Sequence, residues 1–189
     1  MYLLGLGVLF IAVQHLVAAV PSLKARVKAR VGEKAYGPLF GLASLVGIAI
    51  IVLGWRSADF VPVYDPPEWG RHANFGLTFI AFLCLGIFMF RGSWRQKLRF
   101  PMALAIIFWA TGHLLANGDQ RSVILFGGLM AYAVLHIIIG TVNGVRPSPV
   151  VREGHNLLSM LAGIALYGVM TQAHPVLIGV PVLDLHLLR

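Results

Sequence analysis

The chain has 189 residues, 58% of them hydrophobic and 12% charged, with a mean hydropathy of +0.82. That balance excludes a water-soluble globular domain and points to a chain that lives in a bilayer. The formal net charge of +8 comes from basic residues in loops, not from a groove interleaved with stacking aromatics, so no nucleic acid partner is expected; the single cysteine, Cys84, excludes an internal disulfide and a cysteine metal cage.

The length accommodates about six apolar spans of roughly 16 to 20 residues and leaves no room for a soluble domain. The expected fold is all-α, a polytopic transmembrane helical bundle forming one integral membrane domain over residues 1–189. The first span, Tyr2 to about Val20, has the length of a secretory signal but lacks a positively charged leader, and is expected to be retained. Lys24, Arg26, Lys28, Arg30 and Lys34 then crowd the loop Pro21 to Tyr36 and mark the cytoplasmic side. In the second span, about Gly37 to Trp55, the spacing of Gly37, Gly41, Ala43 and Gly47 suits close helix packing.

The connection Ser57 to Gly70 carries three of the ten prolines and three acids, so an irregular outer loop is expected. The third span runs from about Arg71 to Phe90. Arg91, Arg95, Lys97 and Arg99 form a second basic loop, laid along the lipid headgroups. Pro101 suits the first turn of the fourth span. Asn117 to Arg121 is a tight outer turn into a fifth span, Ser122 to Ile139, and Arg146 and Arg152 precede a sixth, about His155 to Gln172. From Pro175 the apolar tail is expected along the outer interface. Basic residues are concentrated in the three inner loops; only Arg56, Arg71, Arg121 and Arg189 fall outside, so both termini are expected to face the periplasm of a bacterial inner membrane.

All seven acids (Glu33, Asp59, Asp65, Glu68, Asp119, Glu153 and Asp184) fall in loops or at span ends. A di-iron carboxylate site or a glycosidase pair would need them within the helices. No HExxH, phosphate-binding glycine loop or GxSxG elbow is present.

Histidine is the ionisable side chain inside the spans. His113 sits in FPMALAIIFWATGHLLANGD (Phe100 to Asp119), with Trp109 one turn before and Asn117 one turn after on the same face. His15 lies on a stripe of small residues, Gly5, Ala12 and Ala19, which suits a flat macrocycle or, equally, a neighbouring helix. Two such histidines on separate spans suit a shared haem b, with His15 and His113 as axial imidazoles and Trp109 and Asn117 in the pocket. Their expected offset is about 9 Å in depth, and the Cα separation on the order of 13 Å, which such a sandwich accommodates. His72, beside Arg71, is the reserve ligand. His136 is expected to pair with Tyr132, and His155, His174 and His186 to be surface groups.

Three segments together resemble the NnrU family of bacterial membrane proteins: QHLVAAVPSLKARVKARVGEKAYGPLFGLASL (Gln14 to Leu45), the heptapeptide Pro66 to His72, and Phe100 to Asp119. The resemblance runs to about residue 145. It implies a link to denitrification and nitric oxide metabolism. The family is similar to a plant 15-cis-zeta-carotene isomerase, a membrane haem b enzyme; the positions matching its axial histidines are His15 and His113, and His72 also matches a histidine there. Ala110 stands where that enzyme has a cysteine, and Phe100 where it has a histidine.

The expected function is therefore that of a haem b protein of the inner membrane with redox, gas-sensing or isomerase-type chemistry. Its partners would be the lipid bilayer and a lipid-soluble or gaseous small molecule that reaches the iron from lipid. The alternative is a non-enzymatic accessory protein for expression or assembly of nitrite and nitric oxide reductases. A homo-oligomer would use the small-residue faces of the second and sixth spans.

Overall fold

Helices joined by short connections make up the computed structural model, which describes residues 1–180 and Val182 and contains no strand among them. The expected surface group His186, with Asp184 and Arg189, lies outside the described residues. Helix α1 (Tyr2–Ala19) gives way directly to α2 (Pro21–Val31), because a proline at the first helical position cannot donate to a preceding turn. A loop was expected over α2. Its proline start and the basic Lys28 and Arg30 in its last turn, which complement the helix dipole, favour a helix instead. Gly32, at φ +91°, ends it, and an ion pair between Lys28 and Glu33 spans the break.

The second span, α3 (Glu33–Arg56), begins four residues earlier than Gly37. After an extended connection come α4 (Gly70–Met89), the short α5 (Ser93–Leu98) and α6 (Pro101–Ala116), which starts on its proline as expected. Helix α7 (Gln120–Val142) contains a π-helical turn over Val123–Gly127, and α8 (His155–Ile178) is the last. The chain was expected to leave the bundle at Pro175. It remains helical to Ile178 because proline so near the end forfeits only the bond to the Thr171 carbonyl.

Five of these helices are long and apolar enough to cross a membrane, and α6 is a shorter apolar one. Within their most apolar stretches only 6% to 28% of residues are buried in the bundle, so most of the apolar surface faces outward, as suits a multi-pass protein in lipid. With no hydrophobic drive between helices in lipid, association rests on close packing at small residues. A Cβ on Gly54 would lie 2.6 Å from the Leu4 Cα, and one on Gly47 2.7 Å from Ile11 Cγ1, which joins α1 to α3. Gly37 and Gly41 of the expected packing stripe have open space beside them.

Helix α4 is the keel of the other half, packed on α6 along one side and on α8 along the other. At the end bearing the basic loops, α4 and α8 nearly touch: a Cβ on Gly163 would sit 2.7 Å from the Phe82 carbonyl oxygen. Toward the opposite end α4 stays close to α6, where a Cβ on Gly112 would lie 3.2 Å from the Asn74 Cα. With α6 and α8 on different sides of the keel, a space opens between them there.

Candidate functional site

The space at the end away from the basic loops is a cavity of about 660 Å³, within the range of small-molecule and cofactor sites, about 300 to 1,000 Å³. Its walls come from five helices and are mostly apolar or aromatic. Helix α6 contributes Trp109, His113 and Asn117. Helix α8 contributes Tyr167, Met170, Thr171 and His174, and α3 and α4 contribute Arg56 and Arg71.

His113 is held in one orientation by its own helix. Its Nδ1 lies 2.8 Å from the Trp109 carbonyl oxygen. A carbonyl can only accept, so the proton is on Nδ1 and the neutral ring keeps its lone pair on Nε2. The Phe126 ring stacks on the imidazole, centroids 4.5 Å apart, and Trp109 packs against both. Asn117 donates from Nδ2 to the His113 carbonyl at 2.9 Å, which closes the last turn of α6.

The extended connection braces this end. The Tyr64 hydroxyl shares its one proton between the carbonyls of Leu114 and Asn117, and the Tyr64 and Val63 N–H groups donate to Gly118 O. Partial burial, with the Asp119 charge adding to it, pushes the Tyr64 pKa up, so the hydroxyl stays a donor. Asp119 is buried and caps α7, accepting from Ser122 N at 3.2 Å and Ser122 Oγ at 2.6 Å.

His15 is elsewhere and does not line the cavity. Its Nδ1 donates to the Ile11 carbonyl at 2.9 Å, the same local arrangement as His113, and its ring lies between Phe40 and Tyr132, at 4.9 Å and 5.8 Å. Ala12 and Leu16, around it on α1, pack against the buried cluster of Ala103, Tyr132 and Ala133. His15 stands beside Tyr132 of α7 and His113 beside Phe126, six residues apart on that helix, so the two levels differ by on the order of 9 Å. His136 lies edge-on to Tyr132 at 5.8 Å and to Phe100 at 6.1 Å, and its buried Nδ1 has no hydrogen-bond partner among the described residues.

His72, exposed at the start of α4, does not line the cavity. His155 accepts from Arg91 N at 3.1 Å, a structural role at the basic end. His174 departs from its expected surface role: it lines the cavity, with Nδ1 donating to the Val180 carbonyl at 2.7 Å. The signal for it is helical spacing. Tyr167, Met170, Thr171 and His174 fall at i, i+3, i+4 and i+7, one face of α8, provided the helix runs on through Pro175.

The NnrU protein family model matches residues 2–182 of this sequence. The chain belongs to the NnrU family. No curated protein and no solved structure matches it. The family match spans all six apolar helices, so both the bundle and its cavity lie within the matched residues.

For the haem b that the resemblance implies, the donor set gives a test of fit. No group of three or more metal-ligating His, Cys, Asp or Glu occurs among the described residues, which leaves histidine ligation by one or two imidazoles. His113 offers Nε2 at an apolar cavity of cofactor size, with its orientation fixed by a carbonyl on the other ring nitrogen, as in metal-bound histidines. Arg56 and Arg71 supply cationic groups at the same cavity, and neither is in an ion pair with a carboxylate among the described residues. On these counts the cavity fits a flat, apolar group that bears carboxylates.

Proposed function

We propose that this NnrU protein holds one haem b in the cavity between α6 and α8, with His113 as an iron ligand, and acts on a gaseous or lipid-soluble partner in denitrification and nitric oxide metabolism. The observation that carries the reading is the His113 imidazole, its Nδ1 tied to the Trp109 carbonyl and its ring at a cavity of about 660 Å³. When bound, the haem supplies an iron centre whose ligation and potential the protein sets. Trp109 and Phe126 fix the plane of the imidazole, and the apolar walls exclude water. Arg56 and Arg71 are placed to meet acidic groups at the cavity. No carboxylate lines the cavity among the described residues, so any proton needed at the site has to come through histidine, a hydroxyl or water.

The experiment is an absorption spectrum of protein purified from haem-replete cells. A Soret band present in the parent and lost in His113→Ala, with the variant still folded, is the expected result. A colourless, folded parent that also fails to take up added haem removes this reading and leaves the accessory role.

A further inference from the structure

Helix α2 carries a pattern that neither the bundle nor the cavity uses. At about 100° per residue, Leu23, Val27 and Val31 fall on one stripe of it, with Arg26 and Arg30 along one edge and Lys24 and Lys28 along the other. Ser22, Ala25 and Ala29 take the opposite face, and the helix holds no acid. None of its residues is fully buried: Val27 is half-covered by the bundle, while Leu23 and Val31 stay 38% and 39% exposed. Lys28 is paired with Glu33 and lies over the Tyr36 ring. Lys24, Arg26 and Arg30 are exposed and in no ion pair with a carboxylate among the described residues. We infer that α2 lies in the leaflet surface at the basic end of the bundle and binds the headgroups of anionic phospholipids.

The packing of its neighbours sets the direction of α2. Helices α1 and α3 run antiparallel, with Leu4 beside Gly54, Ile11 beside Gly47, and the Gln14 amide donating to Ser44 Oγ at 3.0 Å. In that register Pro21 comes level with Gly37, and α3 begins at Glu33, only about 6 Å further along at 1.5 Å per residue. Helix α2 covers that rise with 11 residues, about 16 Å of helix, so it runs across the end of the α1–α3 pair more than along it. A helix that crosses the end of two membrane spans lies at headgroup depth. There the ends of the acyl chains cover Leu23 and Val31, and the cations on both edges of the stripe reach phosphates on either side of it. Each cation held at an anionic surface strengthens binding about fivefold, whereas a zwitterionic surface offers no net charge to attract it.

The test uses the full chain in a neutral detergent, titrated with phosphatidylglycerol or phosphatidylcholine and followed by its thermal midpoint. Phosphatidylglycerol is expected to raise the midpoint of the parent, and phosphatidylcholine to leave it nearly unchanged. In the triple variant Lys24→Gln, Arg26→Gln and Arg30→Gln, reaching half of that rise should take about tenfold more phosphatidylglycerol or more. The charge-conserving triple Lys24→Arg, Arg26→Lys and Arg30→Lys should titrate like the parent, which separates loss of charge from damage to the helix. Removing the other basic cluster, with Arg91→Gln, Arg95→Gln and Lys97→Gln, should keep the response. The inference is overturned if phosphatidylglycerol does no more for the parent than phosphatidylcholine, or if inorganic phosphate reproduces the rise. It is equally overturned if the α2 glutamine variant titrates like the parent, if the charge-conserving variant loses the response with it, or if the Arg91 set weakens the response as much.

Discussion

The two ends of the bundle finish their helices with different partners. At the basic end, side chains are consumed by neighbouring backbone. Arg99 Nε donates to Val145 O at 2.8 Å, Gln96 Nε2 to Pro149 O at 2.9 Å, and Asn156 Nδ2 to Ser93 Oγ at 2.8 Å while its Oδ1 accepts from Trp94 N. Those bonds stitch the loop before α6 to the loop before α8. At the cavity end only half of each capacity is used: His113 and His174 spend Nδ1 on carbonyls and keep Nε2. Spare lone pairs and cations collect where α6 and α8 diverge, and that divergence follows from the closeness of α4 and α8 at the other end.

The sharpest way to break the comparison is to force the closed end open. A Cβ on Gly86 would lie 3.0 Å from the Gly163 N and closer still to the Ser159 carbonyl, with backbone rather than a movable side chain in the way. Gly86→Leu should therefore cost about 3 kcal/mol or more of stability, seen as a large fall in the thermal midpoint of the purified protein. Gly76→Leu, on the same helix with open space around it, is the control and should change little. Equal losses in both would mean that α4 and α8 do not cross at Gly86.

A smaller effect is expected at the open end. If Arg56 and Arg71 meet carboxylates, the parent should bind haem about tenfold more tightly than haem dimethyl ester, whose carboxylates are blocked, since each partly exposed ion pair is worth up to about 1 kcal/mol. In the double variant Arg56→Gln with Arg71→Gln that preference should vanish, with the ester bound as before. Competitive titration followed at the Soret band measures both. A preference that survives in the double variant assigns the acid recognition to other residues.

The contrast between the ends also shows what could be read from residues alone. Spans are legible because lipid demands long apolar runs with internal hydrogen bonds, and the start of α6 at Pro101 follows from proline's own geometry. Charge runs and prolines are less reliable guides. Lys24 to Arg30 form a helix because exposed basic side chains do not oppose one, and Pro175 does not stop α8 because a single lost bond near its end is tolerated. Ending the sixth span at about Gln172 hid His174, since the face it shares with Tyr167 exists only if the helix reaches residue 174. Trp109, His113 and Asn117 come together at the cavity because the first two lie one turn apart on α6 and Asn117 caps its end. The depth of His15 relative to His113 depends on how α1, α6 and α7 pack, which spacing along the chain does not determine.

The smallest effect belongs to the turn that carries the end of α6 into α7. Asp119 accepts from Ser122 N and Ser122 Oγ and pairs with Arg121 Nε at 3.2 Å. The Arg121 guanidinium in turn lies over Trp55, 4.8 Å from the ring centroid, and Trp55 is a wall residue of the cavity. Asp119→Ala removes the cap and should cost about 1 kcal/mol. Asp119→Asn keeps an acceptor for Ser122 N and loses only the charge facing a partly exposed arginine, so it should fall within about 0.5 kcal/mol of the parent. Chemical denaturation of the two variants separates the terms. If the asparagine loses as much as the alanine, the ion pair to Arg121 holds this turn; if only the alanine is weakened, the cap does.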